Sequence, residues 1–232
     1  MIIAGLEKFT LLDYPGKMSA IIFTYGCDMR CPYCHNPELV TQRLDRKNAF
    51  SVDDVIDFLQ TRVDKLEAVV ITGGEPTIHR DLEDVITRIR ELGYMIKLDT
   101  NGGSPERVES ILELGIVDYW AMDIKYGKDL YAQGVNGGRK ILERDVERSI
   151  RSIMSDGVDH EFRTTVIKGM HDIDSMHKIG EMINGADNYY IQNFRPGKTI
   201  DPTLNSQNSF TQGELEDFKR IMEAYVKNVY IR

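Results

Sequence analysis

With 232 residues, 41% of them apolar and 28% charged, the chain can bury a sizeable core and has no compositional bias toward disorder. A formal net charge of −8 argues against general affinity for nucleic acid or anionic membranes, and no apolar run approaches the roughly 20 residues of a membrane span. The three cysteines cannot all pair as disulfides, and Met1–Lys8 lacks the basic start and apolar stretch of a secretory signal, so a cytoplasmic location is expected.

No linker-like or low-complexity stretch interrupts residues 1–232, which predicts a single domain. The first apolar, strand-like run is Met18–Thr24, followed by an irregular loop that holds Cys27, Cys31 and Cys34. Ser51-Val-Asp-Asp54 then reads as a capping box, with Val52, Val55, Ile56, Leu59 and Val63 on one helical face. Ala68–Thr72 is the second strand, and Leu82, Val85, Ile86 and Ile89 form a helical stripe closed by Gly93. Tyr94–Asp99 is the third strand. Ser104-Pro105 supplies a cap and an N1 proline for a helix that ends at Gly115. Val117–Asp123 is the fourth strand and is followed by a stripe of Val146, Ile150 and Ile153. His160–Ile167 and Asn188–Gln192 are the fifth and sixth strands, with helical stripes at Ile173–Ile183 and Leu215–Tyr225. Short apolar runs alternating with amphipathic helices indicate βαβ units and a parallel sheet. Six units are too few for a closed eight-unit barrel of about 250 residues, so the periodicity leaves a flat doubly wound sheet or an open partial barrel. In either, the chemistry gathers at the C-terminal ends of the strands.

The polar motifs fall at those ends. Cys27, Cys31 and Cys34 follow strand one, Gly73-Gly74-Glu75-Pro76 follows strand two, and Asp99-Thr-Asn101-Gly ends strand three. Asp123-Ile-Lys125 ends strand four and Arg195 follows strand six. Cysteines at i, i+4 and i+7 let one loop present three thiolates to an iron–sulfur cube, with one iron free of protein thiolate. Other readings of the same spacing are a zinc site that recruits His35 as its fourth ligand, or inert buried cysteines. Consecutive glycines allow a backbone to approach a ligand closely. Asp99–Gly102 also reads as a plain turn, and Asp123–Lys125 as a surface ion pair. His79, His160, His171 and His177 show no partner pattern and receive no role.

Cys-x-x-x-Cys-x-aromatic-Cys with Gly-Gly-Glu-Pro one βα unit later resembles the radical S-adenosylmethionine (SAM) superfamily. The resemblance implies an α/β fold, the open partial (β/α)6 barrel of that type. It implies a [4Fe–4S] cluster on Cys27, Cys31 and Cys34, whose open iron binds SAM. Reductive cleavage of the sulfonium then yields a 5′-deoxyadenosyl radical that abstracts hydrogen. By the same resemblance Gly73, Gly74 and Glu75 hold the SAM amino group. Asp99, Asn101-containing Asp-Thr-Asn-Gly, and Asp123 lie near the ribose and a monovalent cation, while Lys125 faces the SAM carboxylate. Tyr33 packs beside adenine or fills core, and His35 contacts the cofactor through its backbone.

Cys34-His35-Asn36, Asp99–Gly102 and Asp123-x-Lys125 resemble the activases of glycyl radical enzymes. Phe9–Gly16 and Ile191–Lys198 extend the likeness to the activating proteins of anaerobic ribonucleoside-triphosphate reductase. The partner implied is such a glycyl radical enzyme, with flavodoxin or ferredoxin as electron donor. The chain departs from pyruvate formate-lyase activase at Arg195, where that enzyme carries a histidine. Arginine cannot act as a neutral base but can pair with a carboxylate. Two other readings share some of these features. One is a compact radical SAM enzyme acting on a small deazapurine precursor. The other is a non-catalytic metal-binding or electron-transfer module, which leaves Gly-Gly-Glu-Pro unexplained.

Overall fold

A computed structural model of the chain describes residues 1–41, 49–127, 131, 135 and 143–232. Its centre is one eight-stranded sheet whose strands lie in sequence order. The strands are β1 (Ile3–Thr10), β2 (Ser19–Thr24), β3 (Ala68–Gly73), β4 (Met95–Thr100), β5 (Tyr119–Asp123), β6 (Asp159–Val166), β7 (Asn188–Asn193) and β8 (Asn228–Ile231). β1 runs antiparallel to β2, and every later neighbour pair is parallel. The connecting helices are α1 (Pro37–Val40), α2 (Val52–Gln60), α3 (Leu82–Glu91), α4 (Pro105–Leu114), α5 (Glu143–Asp156), α6 (Ile173–Met182) and α7 (Gln212–Met222). This is the open partial barrel that was expected, with β1 and β8 as its two edges.

All six expected strands are present, and the sheet adds β1 and β8 at its edges. Of the β1 side chains only Ile3 is fully shielded, so the segment carries almost no hydrophobic signal of its own. Pairing with β2, from Ile3 opposite Thr24 to Thr10 opposite Ser19, makes it a strand. The four residues of β8 are likewise defined by β7.

The capping box of α2 forms as expected: Ser51 Oγ accepts from the Asp54 amide at 3.0 Å and Asp54 Oδ2 accepts from the Ser51 amide at 2.9 Å. Val63 lies beyond the end of α2 and off its buried face. Ser104 occupies the cap position of α4 but makes no side-chain cap bond, and Pro105 starts the helix. Gly115 ends α4 at φ 60°.

The sheet has two unlike faces, set by the two-residue period of its strands. Ile22, Ile71, Leu98, Trp120 and Phe162 face the helices, joining Leu59, Ile86, Ile111 and Ile150 in the main core. The other face carries a small apolar cluster of Tyr14, Ile21, Ala68 and Val70. Further along, the same side holds Lys97, Asp99, Asp123, Glu161 and Arg163, so charge is carried on the side opposite those helices. Among the described residues no helix is long and apolar enough to cross a membrane.

Candidate active site at the strand ends

The three cysteines, with Gly73, Gly74, Glu75, Asp99, Asn101, Asp123 and Lys125, line one cleft of ≈ 250 Å³ at the C-terminal ends of β2 to β5. Tyr33 and His35 also border it. Arg195 does not: it is exposed and lines an adjoining cleft that meets the first at His35, Arg163 and Thr165.

Gly73 and Gly74 bring two loops together. Gly73 has φ 114°, and a Cβ on it would lie 2.3 Å from the Thr24 nitrogen. A Cβ on Gly74 would lie 1.8 Å from the Gly26 carbonyl oxygen. The two glycines thus permit a close approach of the neighbouring backbone. The Gly74 amide donates to the Thr24 carbonyl at 2.9 Å and the Glu75 amide to that of Gly26 at 2.8 Å. These bonds fix the point at which the cysteine loop leaves β2.

Glu75 continues the fastening. It is 1% exposed, and its carboxylate accepts from the Thr77 amide, the Thr77 and Thr100 hydroxyls and the Asn101 amide. Burial, then the charge of Asp28, pushes its pKa up to about 7 against those four bonds. Asn101 reaches the other way, its side-chain amide donating to Asp28 Oδ1 at 2.9 Å. Cysteine loop, Gly-Gly-Glu-Pro and Asp-Thr-Asn-Gly are thus one hydrogen-bonded unit.

Asp123 and Lys125 form a half-buried ion pair of 2.8 Å, not a surface one, inside a larger chain of charge. Lys97 Nζ donates to Asp99 Oδ1 at 2.6 Å, and Arg163 spans Asp99 Oδ2 and Asp123 Oδ1. Burial opposes ionisation of Asp123, yet Arg163 and Lys125 hold its pKa well below the usual carboxylate range. Lys125 is likewise held protonated by Asp123 against the effect of burial. Lys97 and Arg163 escaped the motif reading. Their signal is Lys97-x-Asp99 and Glu161-x-Arg163, which place charges two apart on one strand face.

Two further contacts hold Lys125 where no ladder continues. Its amide donates to the Tyr131 hydroxyl at 3.0 Å, and its carbonyl meets His171 Nε2 at 3.0 Å. His35 stacks on Phe194 with ring centroids 5.6 Å apart, and Tyr33 is buried in the core beneath the loop.

The donor set suits a cluster better than one ion. A tetrahedral zinc needs its ligands within about 2.0–2.3 Å of a single point. Among the described residues no three Cys, His, Asp or Glu side chains are gathered that way. A cube binds its thiolates through separate irons, so three cysteines lining one cleft meet its requirement. Burial, then the charge of Glu75, pushes the Cys27 thiol up to about 12, and burial raises Cys31 as well. Such thiols ionise when a positively charged metal centre takes the proton's place.

A family profile described as the radical SAM superfamily matches residues 21–181, more than half of the chain, and the chain belongs to that superfamily. It is an oxidoreductase of that class, using a [4Fe–4S] cluster and SAM. The chain is 34% identical over 238 residues to a Methanocaldococcus jannaschii protein assigned as a glycyl-radical enzyme activating enzyme, covering 100% of this chain and 95% of that one. It is 26% identical over 199 residues to the 7-carboxy-7-deazaguanine synthase of Thermococcus kodakarensis, covering 78% of this chain and 76% of that one. Among solved structures, Streptococcus suis SuiB bound to precursor peptide SuiA shares the fold, with a TM-score of 0.67 at 16% identity, over 91% of this chain and 48% of that one.

Proposed function

We propose that this protein is a glycyl-radical-enzyme activase, a single-domain cytoplasmic enzyme whose partner is an anaerobic ribonucleoside-triphosphate reductase. The observation that carries this reading is the end-to-end similarity to the M. jannaschii activating enzyme, since it spans the cofactor motifs and the edges of the sheet alike. When bound, the cluster and SAM supply a carbon-centred radical able to take the α-hydrogen of a glycine. Flavodoxin or ferredoxin serves as electron donor.

The chain's own part is binding and placement. Cys27, Cys31 and Cys34 hold the cluster. The backbone of Gly73 and Gly74, with Glu75, holds the SAM amino group, and Lys125 takes the carboxylate. Each oxygen of Asp99 and Asp123 already accepts one donor, which leaves lone pairs for the ribose or a monovalent cation, with Asn101 beside them. Arg195, outside the cofactor cleft, faces the substrate side, and Tyr33 and His35 support the loop and adenine.

The test is direct. Protein reconstituted without oxygen, reduced and mixed with the anaerobic reductase should produce a glycyl radical by electron paramagnetic resonance, with SAM cleaved in step. The similarity to the deazaguanine synthase supports a second reading, a small ring-contracting substrate. Conversion of the deazapurine precursor without any protein radical would favour it and reject the activase.

A further inference from the structure

The cysteine loop holds one acidic side chain that the superfamily motif leaves unassigned. Asp28 follows the first cysteine directly, and its Oδ1 lies 4.0 Å from Cys27 Sγ. Its Oδ2 is buried and has no hydrogen-bond partner among the described residues. Arg30, two positions on, turns its guanidinium to the carbonyls of Cys27 and Met29 at 2.7 and 2.8 Å and leaves the carboxylate unpaired. A carboxylate oxygen buried without a partner is costly, so the position of Asp28 Oδ2 in the loop of a ligand sulfur calls for a reason.

The geometry offers one. A negative charge near an iron–sulfur centre opposes the arrival of an electron, and hydrogen bonds to the ligand sulfurs favour it. Asp28 acts on both. Its charge stands 4.0 Å from the sulfur, a range at which charges in a partly buried site interact strongly. It also competes for a donor: the Asn101 side-chain amide lies 2.9 Å from Asp28 Oδ1 but 3.9 Å from Cys27 Sγ. The only closer donor to that sulfur among the described residues is the Met29 amide at 3.4 Å.

We infer that Asp28 sets the reduction potential of the cluster, its carboxylate beside Cys27, which no cation among the described residues pairs with, keeping the couple low so that the reduced centre is a strong one-electron donor. The inference rests on the cluster assignment made above. A tenfold change in the one-electron equilibrium corresponds to about 59 mV. Removing one charge at this distance in a partly buried site is expected to give a change of at least about that size.

The experiment is a redox titration of the reconstituted holoprotein, following the paramagnetic signal of the reduced cluster in wild type, Asp28→Asn and Asp28→Glu, with iron and sulfide measured for each. Asp28→Asn, which keeps the shape and the Asn101 bond, should shift the potential upward by at least about 59 mV, a tenfold easier reduction. Asp28→Glu should stay near wild type. If the Asn variant does not load, Asp28→Ser should give the same upward sign. An unmoved potential in the neutral variants overturns the inference, as does an equal shift in Asp28→Glu, which would trace the effect to packing. Absence of any cluster in the wild type would overturn the cofactor reading itself and this inference with it.

Discussion

Single atoms decide whether this site assembles. Replacing Cys31 by alanine should abolish the cluster, taking bound iron from about four per chain to none by elemental analysis. At Gly74 the added Cβ would meet the Gly26 carbonyl at 1.8 Å. Overpacking against backbone rather than a flexible side chain predicts a loss of about 3 kcal/mol for Gly74→Ala, read by denaturant unfolding of the apoprotein. His171 gives a pH signature. Its Nδ1 accepts from the Ile167 amide at 3.1 Å, which places the proton on Nε2, facing the Lys125 carbonyl. Burial lowers its pKa, so the folded chain binds this proton less readily than the unfolded one. Its contribution is therefore intact above the unfolded value of about 6.5 and is lost as pH falls. Unfolding at pH 8 and pH 5.5 should show wild type losing more stability on acidification than His171→Gln does.

Helices and strands are specified to different degrees by their own residues. The α2 start needs only Ser51 and Asp54, two residues three positions apart that bond to each other. Ser51→Ala should cost about 1 kcal/mol by thermal unfolding and leave cofactor binding unchanged. The parallel strands carry their own signal as well, because β-branched and other apolar residues are crowded on both faces of β2 and β3. The edge strands do not. Glu7, Lys8 and Phe9 of β1 are exposed, and the segment reads as a tail until β2 supplies its hydrogen bonds.

Over the whole molecule, the sheet turns scattered charges into a network. Asp99, Asp123 and Arg163 come from β4, β5 and β6, and only the parallel register brings Asp123 beside Arg163. Removing the central cation takes one of its two cationic partners from each of two buried carboxylates at once, leaving Asp99 only Lys97 and Asp123 only Lys125. Arg163→Met should therefore cost about 3–5 kcal/mol in denaturant unfolding. It should also weaken SAM binding, because Asp123, released from Arg163, would no longer hold Lys125 in one position.

The cysteine triplet, Gly-Gly-Glu-Pro, the six inner strands and most helix ends were legible along the chain, because each is written in residues close together: ligand spacing, turn glycines, caps and apolar periods. Lys97 and Arg163 were visible as letters but not as a pair of clamps, since their partners lie on the same strand face or across strands. The twin glycines were marked, but the backbone they approach, Thr24 for Gly73 and the Gly26 carbonyl for Gly74, lies 49 and 48 positions away and is fixed by strand pairing. Local sequence determined what chemistry the chain can hold. Tertiary structure decided which distant groups stand at hydrogen-bonding distance, because such contacts depend on register and burial that no short stretch contains.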